Sequence, residues 1–380
     1  MSDTALVIRP VETPADMDAF IRLPYRLHQD DPNWIPPLLL ERREVLDPKK
    51  NPYLKRATVQ LWIAKRGDRT VGRISAQKDP LVATQRGPEE GHFGMIAAED
   101  DPEVFQALTE AAENWLRAKG ATVVFGPFNL NINEETGLLI EGRDTVPMMM
   151  MGHDHGYVNT QLGALGYDKV RDLNAFVWKV GEDLPPMLKG FGERAPASGM
   201  VVRPINMKDY REEVRRLSDI FNDAWSENWG FIPMSEDEVE HMANQLKPLI
   251  VPDLVWFVEM DGEPAAFLVC LPNINEAIAD LNGRLLPFGW AKLLWRLKVK
   301  GLKSARVPLL GVRKKYTGKM LGSFMVGSIM YNMYREVEKR GIETLEMSWV
   351  LDDNGPMNRL AQQMGGRHYK TYRVYQKSLT

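Results

Sequence analysis

Two stretches in the first half of the chain concentrate side chains able to move protons. Phe128-Asn129-Leu130-Asn131-Ile132-Asn133-Glu134-Glu135-Thr136-Gly137 follows a run that reads as a buried strand. Gly152-His153-Asp154-His155-Gly156-Tyr157 follows Pro147 and four methionines, Met148 to Met151. Two of the six histidines thus sit two apart beside a carboxylate. A histidine or glutamate in a cleft is the usual general base near neutral pH, which makes His153, His155 and Glu134 candidates. Three readings compete: proton transfer, a hydrogen-bonded structural turn, and a metal site. The metal site is the weakest, because His-x-His offers two ligands and no further Cys or His cluster completes a set. The methionines read as core filler whose flexible thioethers also suit an irregular apolar chain.

These residues sit inside a duplication. Ile8-Arg9-Pro10-Val11 recurs as Val202-Arg203-Pro204-Ile205, a shift of 194. Pro32-Asn33-Trp34-Ile35-Pro36-Pro37 is echoed by Asn228-Trp229-Gly230-Phe231-Ile232-Pro233, and the strand pair at Trp62 returns at Trp256. A period this long is a domain, not a solenoid repeat of about 20–50 residues. The expected spans are 1–180 and 200–380, joined by a Pro/Gly-rich linker at 181–199. Two similar domains make a cleft between them, where ligands usually bind. Each repeat reads β-α-α-β-β-β-α-β-α-β, which predicts an α/β sheet flanked by helices. The net charge of −3 gives no global case for nucleic acid. The single cysteine, Cys270, follows an apolar strand and reads as buried and inert, in keeping with a reducing, cytoplasmic setting. The first residues lack the order of a secretion signal, and no run of 18 apolar residues predicts a spanning helix.

With this element order over both halves, the chain resembles tandem GCN5-related N-acetyltransferase (GNAT) folds. Two motifs in the second half carry the resemblance. The first is Val312-Arg313-Lys314-Lys315-Tyr316-Thr317-Gly318-Lys319-Met320-Leu321-Gly322-Ser323. The family places here a strand, a basic Gly-containing turn and a helix that hold the acyl-carrier pyrophosphate. Free backbone N–H groups and the helix dipole favour an anion at such a turn. Gly318 and Gly322 permit close approach, and Arg313, Lys314, Lys315 and Lys319 supply countercharge. Thr317 replaces the family's usual Arg or Gln, and Met320 a Gly. The bland alternative is an ordinary helix start with a solvated basic loop. The second motif runs from Asn354 to Gly365 and is similar to the GNAT helix that opens on Asn. The family's Tyr, seven residues on, is Ala361 here, so the resemblance implies that leaving-group protonation comes from elsewhere, Tyr369 or solvent. Asn354 also reads as a plain helix cap. In the first repeat the equivalent loop is Gly94-Met95-Ile96-Ala97-Ala98-Glu99-Asp100-Asp101-Pro102, acidic where a pyrophosphate needs positive charge. One carrier site is therefore expected, for acyl-CoA or an acyl carrier protein, with no metal.

An insertion at about 273–304 has no counterpart in the first repeat. Its centre, 285–302, places Leu286, Trp290, Leu293, Leu294 and Leu297 on one helical face, with Lys292, Arg296, Lys298, Lys300 and Lys303 around it. This composition suits an interfacial helix on anionic lipid at the inner membrane, and equally a packed helix or lid. The layout is similar to bacterial ceramide synthases, which N-acylate a sphingoid base with a fatty acyl thioester. The resemblance implies that a long-chain amine attacks an acyl-CoA carbonyl, with His155, His153, Glu134 and Glu346 as bases or orienters. His155 leads, because alignment on Gly166 and Gly365 sets it opposite Asn354. Glu346 lies on the strand after the carrier-loop helix, where the family often uses polar groups near the thioester. Its alternative is one outward position on an alternating strand. The rivals are a tandem GNAT transferase on a soluble amine or peptidoglycan precursor, and a non-catalytic acyl-CoA or lipid binder.

Overall fold

The computed structural model describes residues 5–181, 186–194 and 199–380. The chain forms two compact units. The first holds the residues up to Leu173 with Ile278–Leu285 and Lys370–Thr380, and the second holds Asn174–Ala277 and Leu286–Tyr369. The units thus depart from the contiguous spans 1–180 and 200–380 at the ends of the repeats. The strand closing the first repeat finishes in the second unit, and the chain's last strand finishes in the first. Part of the expected linker, Pro186–Arg194, is a helix that packs on helix Met320–Lys339 through Phe191 and Phe324, ring centroids 5.5 Å apart. The rest of that linker, 182–185 and 195–198, lies outside the described residues.

The strands in chain order are β1 (Leu6–Pro10), β2 (Thr58–Arg66), β3 (Arg69–Lys78), β4 (Glu90–Ala98), β5 (Val123–Gly126), β6 (Phe128–Asn129), β7 (Glu135–Thr136), β8 (Leu138–Glu141), β9 (Asp168–Lys179), β10 (Met200–Pro204), β11 (Val255–Met260), β12 (Glu263–Pro272), β13 (Ser304–Val312), β14 (Thr344–Leu351) and β15 (Arg367–Ser378). The sheet of the first unit runs β1-β2-β3-β4-β5 and ends on the C-terminal part of β15. That of the second runs β10-β11-β12-β13-β14 and ends on the last residues of β9.

Register shows the duplication residue by residue. Leu6 to Pro10 pair with Arg66 to Trp62, and Met200 to Pro204 with Met260 to Trp256. The β2–β3 ladder shifts from Ala64↔Gly72 to Lys65↔Thr70, and the β11–β12 ladder from Val258↔Ala266 to Glu259↔Pro264, both 194 residues on. A further bulge kinks β4, where Arg73↔Ala97 gives way to Ser75↔Gly94, and β13, where Val269↔Leu309 gives way to Leu271↔Arg306. Such bulges bend a strand and re-aim the residues beyond the kink. Each kinked strand then runs parallel to its neighbour for only a few residues, Glu90–His92 beside β5 and Ser304–Val307 beside β14. Past those points the ladders end and a wedge opens in each unit.

The helices after the wedges are held by apolar stripes. In Pro102–Ala118 the stripe is Val104, Phe105, Leu108, Ala112 and Leu116. In Met320–Lys339 it is Met325, Ile329, Met333 and Val337, each four residues apart and fully buried. Burying each large apolar side chain contributes about 1.5–3 kcal/mol, so both helices are fixed where they meet the sheet.

Candidate active site

At the end of β13 the chain turns through residues 313–319 into helix Met320–Lys339. Lys319 holds the N-cap position and makes no side-chain cap, so the first-turn N–H groups face outward without a partner from a capping side chain. Gly322 is required here. A Cβ on it would lie 2.4 Å from the Tyr316 carbonyl oxygen, because the turn folds against the first helical turn. Gly318 adopts φ +73°, in the left-handed region. Thr317 Oγ1 sits 3.4 Å from the Val312 and Arg313 carbonyls and closes the turn.

The cations divide by partner. Arg313 pairs with Asp219 and donates to the Pro264 carbonyl at 2.6 Å. Lys314 pairs with Glu227 at 2.6 Å, and its backbone N–H donates to Asp223 at 2.7 Å. These two brace the turn against the chain from 219 to 227. Lys315 and Lys319 have no carboxylate partner among the described residues. The Lys315 ammonium lies 5.0 Å from the Tyr316 ring centroid, and that of Lys319 donates to the Lys315 carbonyl at 2.7 Å. Asn354 caps helix Gly355–Gln363, its oxygen accepting from the Met357 N–H at 3.2 Å. Ala361, at the family's Tyr position, is fully buried.

At the apex of the wedge, Arg306 of β13 is the register partner of Glu346 in β14. Glu346 is fully buried, not an outward position of an alternating strand. It accepts from Ser348 Oγ at 2.6 Å and from the Tyr369 hydroxyl, with the buried Arg306 guanidinium 3.4 Å away. Arg306 also donates to Ser348 Oγ at 2.8 Å. A buried carboxylate with this many donors is fixed in place, and it holds the Ser348 and Tyr369 hydroxyls in one orientation.

The first unit has the same strand, loop and helix with the chemistry reversed. Helix Pro102–Ala118 is capped by Asp101, which accepts from the Glu103 N–H at 3.0 Å and pairs with Arg66 at 2.8 Å. Glu99 takes Arg26 at 2.7 Å and Arg69 at 2.8 Å. The wedge is filled: Asn129 accepts from the Met95 N–H at 2.7 Å, and Gln77 donates to the Phe128 and Leu130 carbonyls at 2.7 and 3.0 Å. A Cβ on Gly94 would fall 1.7 Å from the Phe128 oxygen, so chain 128–130 lies hard against β4.

What the first unit does assemble is a histidine stack. His28, just past helix Pro14–Leu27, stacks on Trp34 at 5.1 Å and on His155 at 4.1 Å, and His155 stacks on Tyr157 at 5.0 Å. His153 Nε2 lies 2.9 Å from Asp31 Oδ2. A carboxylate only accepts, so Nε2 carries the hydrogen and Nδ1 keeps its lone pair, buried and without a partner among the described residues. By the same logic His155 Nε2 donates to the Leu27 carbonyl at 3.0 Å. Burial holds the His153 pKa below its ordinary value, against the pull of Asp31. It lowers His28 to about 3, with His155 and His153 adding to the effect. Burial pushes Asp154, whose carboxyl accepts from the Leu139 N–H, up to about 6.

The sequence reading found His153 and His155 but missed His28 and Asp31, whose only signal is a His-x-x-Asp spacing before Asn33-Trp34. It also held that no further ligand joins His-x-His. Instead His28, Asp31 and His155 bring one ligand atom each within 4.8 Å of one another. The His28 and His155 rings are 6° from parallel, so their in-plane lone pairs cannot converge on one ion, and the group is built as a stack. Glu134 lies on the segment before β7, near Arg42. Its neighbour Glu135 takes Asn129 at 2.9 Å and Arg42 at 3.3 Å.

No protein-family model matches the chain. It is 52% identical over 375 residues to the protein named bacterial ceramide synthase of Caulobacter vibrioides (strain NA1000 / CB15N), covering 98% of each. It is 48% identical over 366 residues to Protein YghO of Escherichia coli (strain K12), covering 96% of this chain and 93% of the other. Among solved structures, it is similar to a tandem GNAT protein from the clavulanic acid biosynthesis pathway (TM-score 0.56, 13% identity, 99% of both chains). It is also similar to a glucosamine N-acetyltransferase region of a fungal multi-domain GH3 β-N-acetylglucosaminidase (TM-score 0.59, 13% identity, 99% of this chain and 38% of that one). At such identities these two structures show the fold, which is that of tandem GNAT proteins.

Proposed function

This chain belongs to the bacterial ceramide synthase family, and we propose that it moves a fatty acyl group from acyl-CoA to the amine of a long-chain base, giving a ceramide-type amide. The observation that carries the reading is the uncapped helix start at Lys319, with Lys315 and Lys319 left without carboxylate partners among the described residues at the mouth of the β13–β14 wedge. Free N–H groups and two cations suit the carrier's pyrophosphate. Along β13 from Val307 to Val312 the wedge offers roughly 16 Å of strand, at about 3.3 Å per residue, for an extended thioester arm. Val312, Arg313, Lys314, Thr317 and Asn354 shape this site: the two cations brace the turn, Thr317 closes it and Asn354 caps the neighbouring helix.

The chemistry is amide formation. The neutral amine attacks the thioester carbonyl carbon, the C–S bond breaks, the nitrogen gives up a proton and the departing thiolate takes one. One group is suited to the amine proton and another to orienting the donor for the thiolate. His153, oriented by Asp31 and kept neutral by burial, presents a lone pair on Nδ1 and replaces His155 as the leading base. Glu346 is better suited to hold the Tyr369 hydroxyl, and that phenol is the proton source for the thiolate in place of the absent side chain at Ala361. Purified protein given palmitoyl-CoA and sphinganine should release free thiol and form the N-acyl product by mass spectrometry. Tight acyl-CoA binding with no thiol release from any amine would make it a non-catalytic binder, and acylation confined to soluble amines would reassign the acceptor.

A further inference from the structure

The part of the insertion in the second unit is a helix that buries none of its residues. Gly289–Trp295 is α-helical and continues through Arg296–Lys300 as a π-helical turn. Six of the large apolar side chains most open to solvent fall on this segment: Leu286 (78% exposed), Phe288 (73%), Trp290 (51%), Leu294 (51%), Trp295 (53%) and Val299 (72%). The face differs from the one its periodicity predicts. Leu293 and Leu297 turn partly inward, while Trp295 and Val299 join the outer surface. The base is fixed, since Arg296 donates to the Ala277 carbonyl at 2.7 Å and the Lys303 N–H donates to Glu276 at 2.9 Å.

Charge decides what this surface fits. From Leu281 to Arg335 the sequence holds no Asp or Glu and twelve Lys and Arg, of which Lys292, Lys298 and Lys300 are exposed on the segment itself. A second copy of the chain is a poor occupant, because a two-fold contact would set these lysines against their own counterparts. We propose that residues 286–300 dock on an anionic phospholipid bilayer, lying in the headgroup layer with Trp290, Leu294, Trp295 and Val299 inward and the lysines at the phosphates. No described helix is long and apolar enough to cross a membrane. The inference stands independently of the acyl-transfer reading, because the surface is defined by exposure and charge alone.

The test is sedimentation of the full chain with vesicles of phosphatidylcholine alone, or of phosphatidylcholine with phosphatidylglycerol, together with light scattering of the lipid-free protein. Binding is expected to the anionic vesicles and not to the neutral ones, and to fall as salt is raised. Trp290→Glu with Trp295→Glu should weaken it at least about tenfold, and so should Lys292→Glu with Lys298→Glu and Lys300→Glu. All five positions are exposed, and circular dichroism is to check that the variants fold. Equal binding by the folded variants, or no binding to anionic vesicles by the unaltered chain, overturns the proposal. A dimer that the tryptophan variant dissociates, with no vesicle binding, assigns the face to self-association instead.

Discussion

Helices Pro102–Ala118 and Met320–Lys339 begin at corresponding places in the two repeats, each after a bulged strand and a wedge, yet their first turns are opposites. One is capped by its own Asp101 and ringed by Arg26, Arg66 and Arg69 bound to carboxylates. The other has no side-chain cap and two lysines without acidic partners among the described residues. A helix start needs something to satisfy its N–H groups. In the first repeat the chain supplies it through Asp101, and in the second no capping side chain does, which is the position proposed for the carrier. Duplication thus preserved backbone geometry, down to the bulges, while the cap and the charges at the helix start differ between the copies.

On the proposed reading His153 takes the amine proton and the helix start at Lys319 holds the carrier, and mutation can test the two roles separately. The largest effect is expected at His153. His153→Ala should lower turnover by roughly 10²–10⁴ and leave acyl-CoA affinity unchanged. Unaltered turnover in the folded variant would remove this histidine, and Glu346→Gln would then be the next variant to assay. Next in size is the carrier loop. Lys315→Ala with Lys319→Ala should raise the acyl-CoA Kd about tenfold per lysine, the low end for charge-assisted contacts because both side chains are exposed. Titration calorimetry showing wild-type affinity would return the turn to an ordinary helix start.

A third expectation concerns pH. The folded pKa of His28 is depressed to about 3, so the folded state binds fewer protons than the unfolded chain between there and about 6.5. Its contribution is therefore complete above pH 6.5 and is lost as pH falls, by up to about 1.4 kcal/mol per unit. Asp154, raised to about 6, works in the opposite sense, destabilising at neutral pH and relieved as it protonates. Comparing wild type with His28→Asn isolates the histidine. The difference in urea unfolding free energy should change between pH 7 and pH 5, and parallel profiles would show that His28 is not buried neutral.

The repeat was legible because register is periodic: Arg9 and Arg203, Trp62 and Trp256 mark strands whose pairing the structure repeats at the same shift. The strand, turn and helix at 313–322 were legible because Gly318 needs a positive φ and Gly322 a close backbone approach. Less could be read where contacts are long-range. His28 and Asp31 lie more than a hundred residues from His155 and His153, and a shift of 194 puts Asn222 and Trp225 opposite them, so the repeat offered no hint. The exchanged strand ends were hidden for a like reason. β9 and β15 have similar alternating sequences, and nothing local says which sheet each will finish.

The smallest effect is the sharpest test of the asymmetry, because it lies where nothing should happen to function. Asp101→Ala removes the cap of helix Pro102–Ala118 and frees Arg66 from one of its partners. Loss of an N-cap costs about 1 kcal/mol. The ion pair adds little, since Glu103 still holds Arg66. Stability should fall by that amount while the acyl-CoA Kd and turnover stay at wild-type values. Adding Glu99→Lys should still create no second carrier site, because Phe128 and Asn129 fill the wedge whatever the charge at its mouth. Binding at a stoichiometry above one acyl-CoA per chain in that double variant would show that charge alone separates the two helix starts, and that the filled wedge is incidental.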